Sequence, residues 1–392
     1  MHMLLADMYS LTNVLTIFDN RNHRTFSTVV VKCCRVLNIH SWEHYNRKVH
    51  LLYGECLDIT ENKGVEVLKM KKKMLLFSGI TTTLAAAATG LFGFALSNKL
   101  MYIQQKDPDF IRERETTAKR FDEAWYNKNF KCELNIDSPN GYSIRGIMFQ
   151  PLQTNNTMII CHGVTENKIN SVKYARLFER LGYNSVIFDH RRHGESGGKT
   201  TSYGYYEKND LDAVVKTVKA MIGENALLGI HGESMGAATM LLYAGTVEDG
   251  ADFYIADCAF SDFSMLLKQI AKTEFKYGSI IPIRFADFFI RLRDGYSFKS
   301  VTPSEAVSHI EKPILFIHSI PDTFIPASMS LDLYNKKNGP KKLKLFDKGA
   351  HAQSFNENMA EYEDLIHEFL ESFIYQKFHH DASSSNVIPF HR

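Results

Sequence analysis

A chain of 392 residues with 46 Lys and Arg against 44 Asp and Glu carries a formal net charge of +2, too weak a field to draw in nucleic acid. At 44% apolar and 12% aromatic, with 10 prolines, it can bury a large core, which excludes disorder for its bulk. Its six cysteines, Cys33, Cys34, Cys56, Cys132, Cys161 and Cys258, show neither C-x-x-C nor metal-ligand spacing, so a disulfide framework and a structural zinc are unexpected; no cofactor is expected either.

The first 69 residues mix His, Asn, Cys and aromatic residues without useful periodicity. They read as a non-domain extension, or as an over-extended reading frame ahead of a start at Met70. Residues Met74 to Leu96 contain no charge, and 23 residues at 1.5 Å each reach about 34 Å, enough to cross a hydrocarbon core of about 30 Å. Lys71, Lys72 and Lys73 abut this run, while Lys99 and Lys106 are the only basic residues in the dozen positions after it. That bias predicts an uncleaved single span, an anchor over residues 70–99, with the N-terminus cytoplasmic and the remainder extracytoplasmic at the cell membrane. Residues 100–130 read as a linker or helical lead-in. At the far end, residues 377–392 are polar and aperiodic, as in a frayed tail.

Between these ends, over 131–376, short β-rich runs alternate with helical patterns. Strands are expected at 132–136, 142–150, 157–161, 184–189, 226–231, 252–257, 313–318 and 342–346, with helices at 170–181, 209–222, 235–245, 328–335 and 357–375. The first two strands alternate and join through Asp137-Ser-Pro-Asn-Gly141, a hairpin signal. The later ones are continuously apolar, as in a parallel sheet covered on both faces. The expectation is a three-layer α/β sandwich on a mostly parallel eight-stranded sheet. Residues 261–307 break the rhythm with about 47 residues rich in Phe, Ile and Leu where a crossover needs only a dozen, and so read as a helical lid.

Gly232-Glu-Ser234-Met-Gly236 fits G-x-S-x-G between an apolar strand and a helix of small first residues, the setting of a nucleophile elbow. Serine is a poor nucleophile unaided, so a base and an orienting acid must follow it. Asp322 lies just past the end of the seventh strand and His351 in the loop after the eighth, with Asp262 and Asp347 as alternative acids. The amide of Met235, after the nucleophile, and that of Val164, after the third strand, are candidates for an oxyanion hole. His190 and His193 flank Arg191 and Arg192 without a carboxylate cluster and read as turn packing, as His231 reads as a packed strand terminus.

HGVTENK from His162, FDHRRHGESGG from Phe188, TSYGYYEKNDL from Thr201, HGESMGA from His231, IADCAFSD from Ile255 and KGAHAQSF from Lys348 together resemble the membrane-anchored α/β-hydrolases of Gram-positive bacteria. These lie near the serine hydrolases that include S33-type aminopeptidases and monoacylglycerol lipases. The resemblance covers about residues 110–375. It implies the α/β-hydrolase fold, Ser234 as nucleophile, Asp322 as acid, His351 as base and the amides of Val164 and Met235 as the oxyanion hole. His318-Ser319 departs from the more usual His-Gly pair. A carboxylesterase or thioesterase working through an acyl-enzyme is expected, as a monomer acting on a small-molecule acyl substrate. The alternatives are an aminopeptidase-like amidase, which needs a carboxylate such as Glu166 or Glu233 free to hold an ammonium, and a membrane-tethered binding protein without catalysis.

Overall fold

The computed structural model describes residues 64–274 and 281–376, and the chain divides into residues 1–89 and 90–392. The readings made of residues 1–63 and 377–392, and of residues 275–280 within the lid, lie outside the described residues. Helix α1, Gly64–Met101, extends the apolar run at both ends, where Glu, Leu, Lys and Met are good helix formers. Its last twelve residues belong to the second unit.

The stretch read as a linker or helical lead-in holds two capped helices. In α2, Pro108–Thr117, the Asp107 carboxylate accepts from the amides of Asp109 and Phe110, and Pro108 opens the first turn. In α3, Glu123–Asn129, Asp122 caps the amide of Trp125. β1 (Phe130–Asp137) and β2 (Ser143–Phe149) then pair antiparallel with Ile136 opposite Ile144. Gly141 supplies the positive φ of the turn between them, +83°.

From there strand and helix alternate: β3 (Thr157–Cys161), α4 (Val172–Arg180), β4 (Asn184–Phe188), α5 (Glu207–Ile222), β5 (Leu228–Glu233), α6 (Met235–Thr246) and β6 (Phe253–Asp257). The excursion carries α7 (Phe263–Glu274), α8 (Ile281–Asp294) and α9 (Pro303–Ala306). After it come β7 (Ile314–Ser319), α10 (Ala327–Lys336), β8 (Lys341–Phe346), α11 (Ser354–Glu357) and α12 (Met359–Leu370). The expected last helix is divided at Asn358, whose φ of −137° and ψ of 39° are not helical, and it continues past α12 as a π-helical turn, Glu371–Tyr375. β5 runs two residues beyond its expected end, because its ladder with β6 continues through Gly232 opposite Ala256 and Glu233 opposite Asp257.

The sheet order is β1-β2-β4-β3-β5-β6-β7-β8, antiparallel at β1·β2 and β2·β4 and parallel across the rest. This is the mostly parallel eight-stranded sheet of the α/β-hydrolase fold. Period-two side chains explain the continuous apolar runs. Ile159 and Cys161 of β3 face a core shared with Leu211 and Val215 of α5 and Met240 of α6. Met158 and Ile160 face the opposite core, with Leu177 and Phe178 of α4 and Ile366 and Phe369 of α12. A third core lies under the excursion and gathers Met235, Phe263, Leu266, Ile283, Ala286 and Ile290 with Met101 of α1.

Candidate active site

The turn from β5 into α6 sets Ser234 at φ 56° and ψ −115°, a left-handed conformation that costs a non-glycine residue about 1–3 kcal/mol. Two glycines make it possible. A Cβ at Gly232 would stand 2.5 Å from the backbone of Ala237, and one at Gly236 would stand 2.2 Å from the carbonyl oxygen of Cys161. The first turn of α6 therefore sits directly on the end of β3. Ser234 is 4% exposed, and its amide donates to the carbonyl of Asp257 at 2.8 Å.

Ser234 Oγ lies 2.8 Å from Nε2 of His351, whose Nδ1 lies 2.7 Å from Oδ2 of Asp322. The structure thus brings together three residues separated by 88 and 29 positions in the chain, in the order the sequence implied. Asp322 is anchored as well as placed: Oδ1 accepts from the amides of Phe324 and Ile325, both at 2.9 Å. Burial alone would raise its pKa, but donors from His318 and His351 and the Ile325 amide prevail and hold the carboxyl well below the usual carboxylate range. The other acids stand aside. Asp262 accepts from the amide of Met265 at the start of α7, and Asp347 is exposed.

The loop after β3 abuts the nucleophile, since a Cβ at Gly163 would lie 3.6 Å from that of Ser234. Val164 follows it, and Met235 is buried in the third core at the first position of α6. Among the described residues neither amide has a hydrogen-bond partner. The loop is backed by imidazoles. His190 donates its amide to Nε2 of His162 at 3.0 Å, and Thr165 donates its amide to Nε2 of His193 at 3.3 Å. These rings pack edge to face at 4.6 and 5.2 Å from His162, and the described residues contain no group suited to a metal ion. His231 is fully buried, with Nε2 3.0 Å from the hydroxyl of Tyr362.

Three features had no local signature in the sequence. His318 touches Oδ2 of Asp322 from behind at 3.2 Å. Asp257, ending β6, accepts from the hydroxyls of Ser354 and Tyr362, and its pKa is pushed up to about 6 by burial and by the charge of Glu233. Glu233 is itself paired with Lys173 at 3.2 Å and bonded to Tyr174 and Asn170, while Glu166 is held by Arg114 and Lys106.

The family model described as "Serine aminopeptidase, S33" matches residues 153–272. The chain is 45% identical over 304 residues to the uncharacterized protein YqkD of Bacillus subtilis, a match covering 77% of this chain and 98% of that protein. It is 24% identical over 226 residues to lysophosphatidylserine lipase ABHD12 of Danio rerio, covering 57% of this chain and 52% of that one. Among solved structures, Pyrococcus furiosus esterase Pf2001 superposes with a TM-score of 0.52 at 24% identity, over 62% of this chain and 91% of that chain.

Proposed function

Since the chain belongs to the S33-like α/β-hydrolase family that includes YqkD, we propose that this hydrolase cleaves carboxylic esters or thioesters through an acyl-enzyme on Ser234. The observation that carries the reading is the hydrogen-bonded line from Ser234 Oγ through His351 to Asp322. In this mechanism His351 Nε2 takes the Ser234 proton as Oγ attacks the acyl carbon, and returns it to the leaving oxygen or sulfur. Asp322 fixes the imidazole with its proton on Nδ1 and stabilises the imidazolium that forms. The oxyanion is received by the amides of Val164, in the loop whose Gly163 abuts Ser234, and of Met235, the residue after the nucleophile; neither has another partner among the described residues. Water drawn to the same base then hydrolyses the acyl-enzyme.

Ester is preferred to amide because the two carboxylates that the peptidase alternative would use are occupied. Glu233 is neutralised by Lys173, and Glu166 by Arg114 and Lys106, so neither is free to hold a substrate ammonium. The apolar cluster that joins Met235 to Phe263, Leu266, Ile283 and Ile290 suits an acyl chain, as does the distant likeness to a lysophospholipid lipase. The reading includes a membrane anchor. Lys71–Met101 is long and apolar enough to cross a bilayer, and the lysines at its start orient the hydrolase domain to the extracytoplasmic side. A fluorophosphonate probe tests the core of the proposal on the purified full-length chain. Labelling at Ser234, lost in Ser234→Ala, supports it; labelling elsewhere or nowhere defeats it. Turnover of aminoacyl amides in preference to 4-nitrophenyl acetate would return the function to the peptidase alternative.

A further inference from the structure

An amphipathic surface helix needs one apolar stripe, and α8 has two. Ile283, Ala286 and Ile290 enter the third core, while Ile281, Phe285, Phe288 and Leu292 form a second stripe at positions i, i+4, i+7 and i+11. Along that second stripe exposure reaches 57% at Phe288 and 71% at Leu292. The end of α1 is fitted to the same helix. Gly93, Ser97 and Met101, one turn apart, are its buried residues, and a Cβ on Gly93 would stand 2.3 Å from that of Phe285. Phe94 meets Phe289 edge to face at 5.3 Å, and Phe289 meets Phe288 in the same way at 5.4 Å. Arg293 closes the seam by donating to Ser97 Oγ at 2.9 Å, with its guanidinium over the rings of Phe94 and Tyr102. Small residues at four-residue spacing are how helices approach closely in lipid.

The depth of this seam follows from arithmetic. A hydrocarbon core of about 30 Å takes about 20 helical residues. Counted from the last lysine before the apolar run, those are Met74 to Gly93, so the core ends where α8 docks. Leu91 and Phe92 on α1 are exposed like the stripe on α8, at 71% and 37%. Arg293 and Tyr102 stand where a basic and an aromatic side chain settle at a membrane boundary.

Building on the reading of a membrane-anchored ester hydrolase, we propose that the end of α1 and the exposed stripe of α8 form one lipid-seated lid. The enzyme's substrates are accordingly acyl lipids taken from the bilayer and not esters dissolved in water. The occupant of the stripe is lipid because Phe288 is joined through the ring of Phe289 to Phe94, at the exposed apolar end of α1. Met235, the proposed oxyanion donor, shares the apolar core beneath α8, so the lid packs on the same cluster as the residue that follows Ser234.

The test uses the full chain reconstituted in phosphatidylcholine and phosphatidylglycerol vesicles. A Phe288→Trp variant should be quenched by lipids brominated near the top of the acyl chain, beyond the quenching of the parent protein with its two native tryptophans. No added quenching overturns the seating, whatever the enzyme hydrolyses. In the double variant Phe288→Lys with Leu292→Lys, hydrolysis of a vesicle-embedded monoacyl lipid should fall by about tenfold, while 4-nitrophenyl acetate turnover stays within about twofold. Equal loss on both substrates, or loss on neither, overturns the lid proposal. A wild-type chain that hydrolyses neither ester defeats the hydrolase reading instead and leaves quenching to decide the seating. Self-association through the stripe would appear as vesicle-independent dimers lost in the double variant, and would likewise overturn it.

Discussion

Asp257 and Asp322 come at the carboxyl ends of neighbouring strands, β6 and β7, and both carboxyl groups are shut off from solvent. Their chemistry diverges because of what surrounds them. Asp322 meets two backbone amides and two imidazoles, all placed to donate, and its carboxylate is held ionised. Asp257 meets two hydroxyls and the nearby charge of Glu233, and burial leaves it with a value raised to about 6. Burial therefore does not by itself make a carboxylate an orienting acid. The number of donors aimed at it, and the absence of a like charge, decide which aspartate can stabilise an imidazolium.

The sharpest break in this comparison is Asp322→Asn. An amide there cannot stabilise charge on His351 and favours the wrong tautomer, so kcat for 4-nitrophenyl acetate should fall by about 10³ to 10⁴-fold with the fold retained. The same change at Asp257 should leave kcat within a few fold. Comparable losses at both positions would mean that the acid has been misassigned between them.

The pair also marks how far the sequence could be read. Ser234 was legible because the elbow's backbone demands small residues at fixed offsets, and Gly232 and Gly236 are those residues. Asp322 and His351 were legible because each falls in a loop directly after a continuously apolar run. The surroundings that raise Asp257 were not legible. Tyr362 reaches Asp257 across 105 residues, and Lys173 reaches Glu233 across 60, distances over which one sequence carries no periodic signal. Residues 100–130 were read as a linker or helical lead-in without bounds for its helices, although the capping signals Asp107-Pro108 and Asp122-Glu123 mark both helix starts. The docking of Gly93 and Ser97 against α8 was hidden for another reason: within an apolar run, small residues look the same whether they face lipid or protein.

The next largest effect should come from the charge that burdens Asp257. Lys173 and Glu233 are each 3% exposed at the side chain, so Lys173→Met strands a buried carboxylate. Loss of one partner from such a pair costs about 3–5 kcal/mol. Thermal unfolding of the detergent-solubilised chain should register it as a large drop in Tm, and an unchanged Tm would show that Tyr174 and Asn170 suffice to hold Glu233.

Asp257 itself should set a pH dependence of stability. Its folded-state value, about 6, lies above the ordinary aspartate value of about 3.9, so between these limits the native state binds the proton more tightly than the unfolded chain. The stability it contributes is full below about pH 4 and is lost as pH rises through 6, a span of about 3 kcal/mol as an order of magnitude. Asp322, with its value lowered, works in the opposite sense: its contribution is present above about pH 4 and is lost only as pH falls below that. Asp257→Asn should flatten Tm between pH 4 and 6 while leaving the acid-side decline. A decline with rising pH that survives the substitution would place the titrating group elsewhere.

The smallest effect tests the donor that most distinguishes the Asp322 site. His318 is wholly buried, and its Nε2 lies 2.8 Å from the carbonyl of Ile325 and 3.2 Å from Oδ2 of Asp322. A carbonyl can only accept, so Nε2 carries a proton that it divides between Ile325 and the carboxylate, and Nδ1 is left to Ser330 Oγ at 2.7 Å. A bond shared in this way and longer than the 2.7 Å contact to His351 belongs at the low end for hydrogen bonds to charged groups, about 1.5 kcal/mol, or roughly tenfold in rate. His318→Phe should therefore lower kcat by about that factor with KM unchanged, because the loss falls on the orientation of His351 and not on substrate contacts. Ser330→Ala, one step further from the carboxylate, should cost less than His318→Phe. A kcat unmoved by His318→Phe would mean that the amides of Phe324 and Ile325 hold Asp322 without help. The difference between the two aspartates would then rest on backbone donors alone.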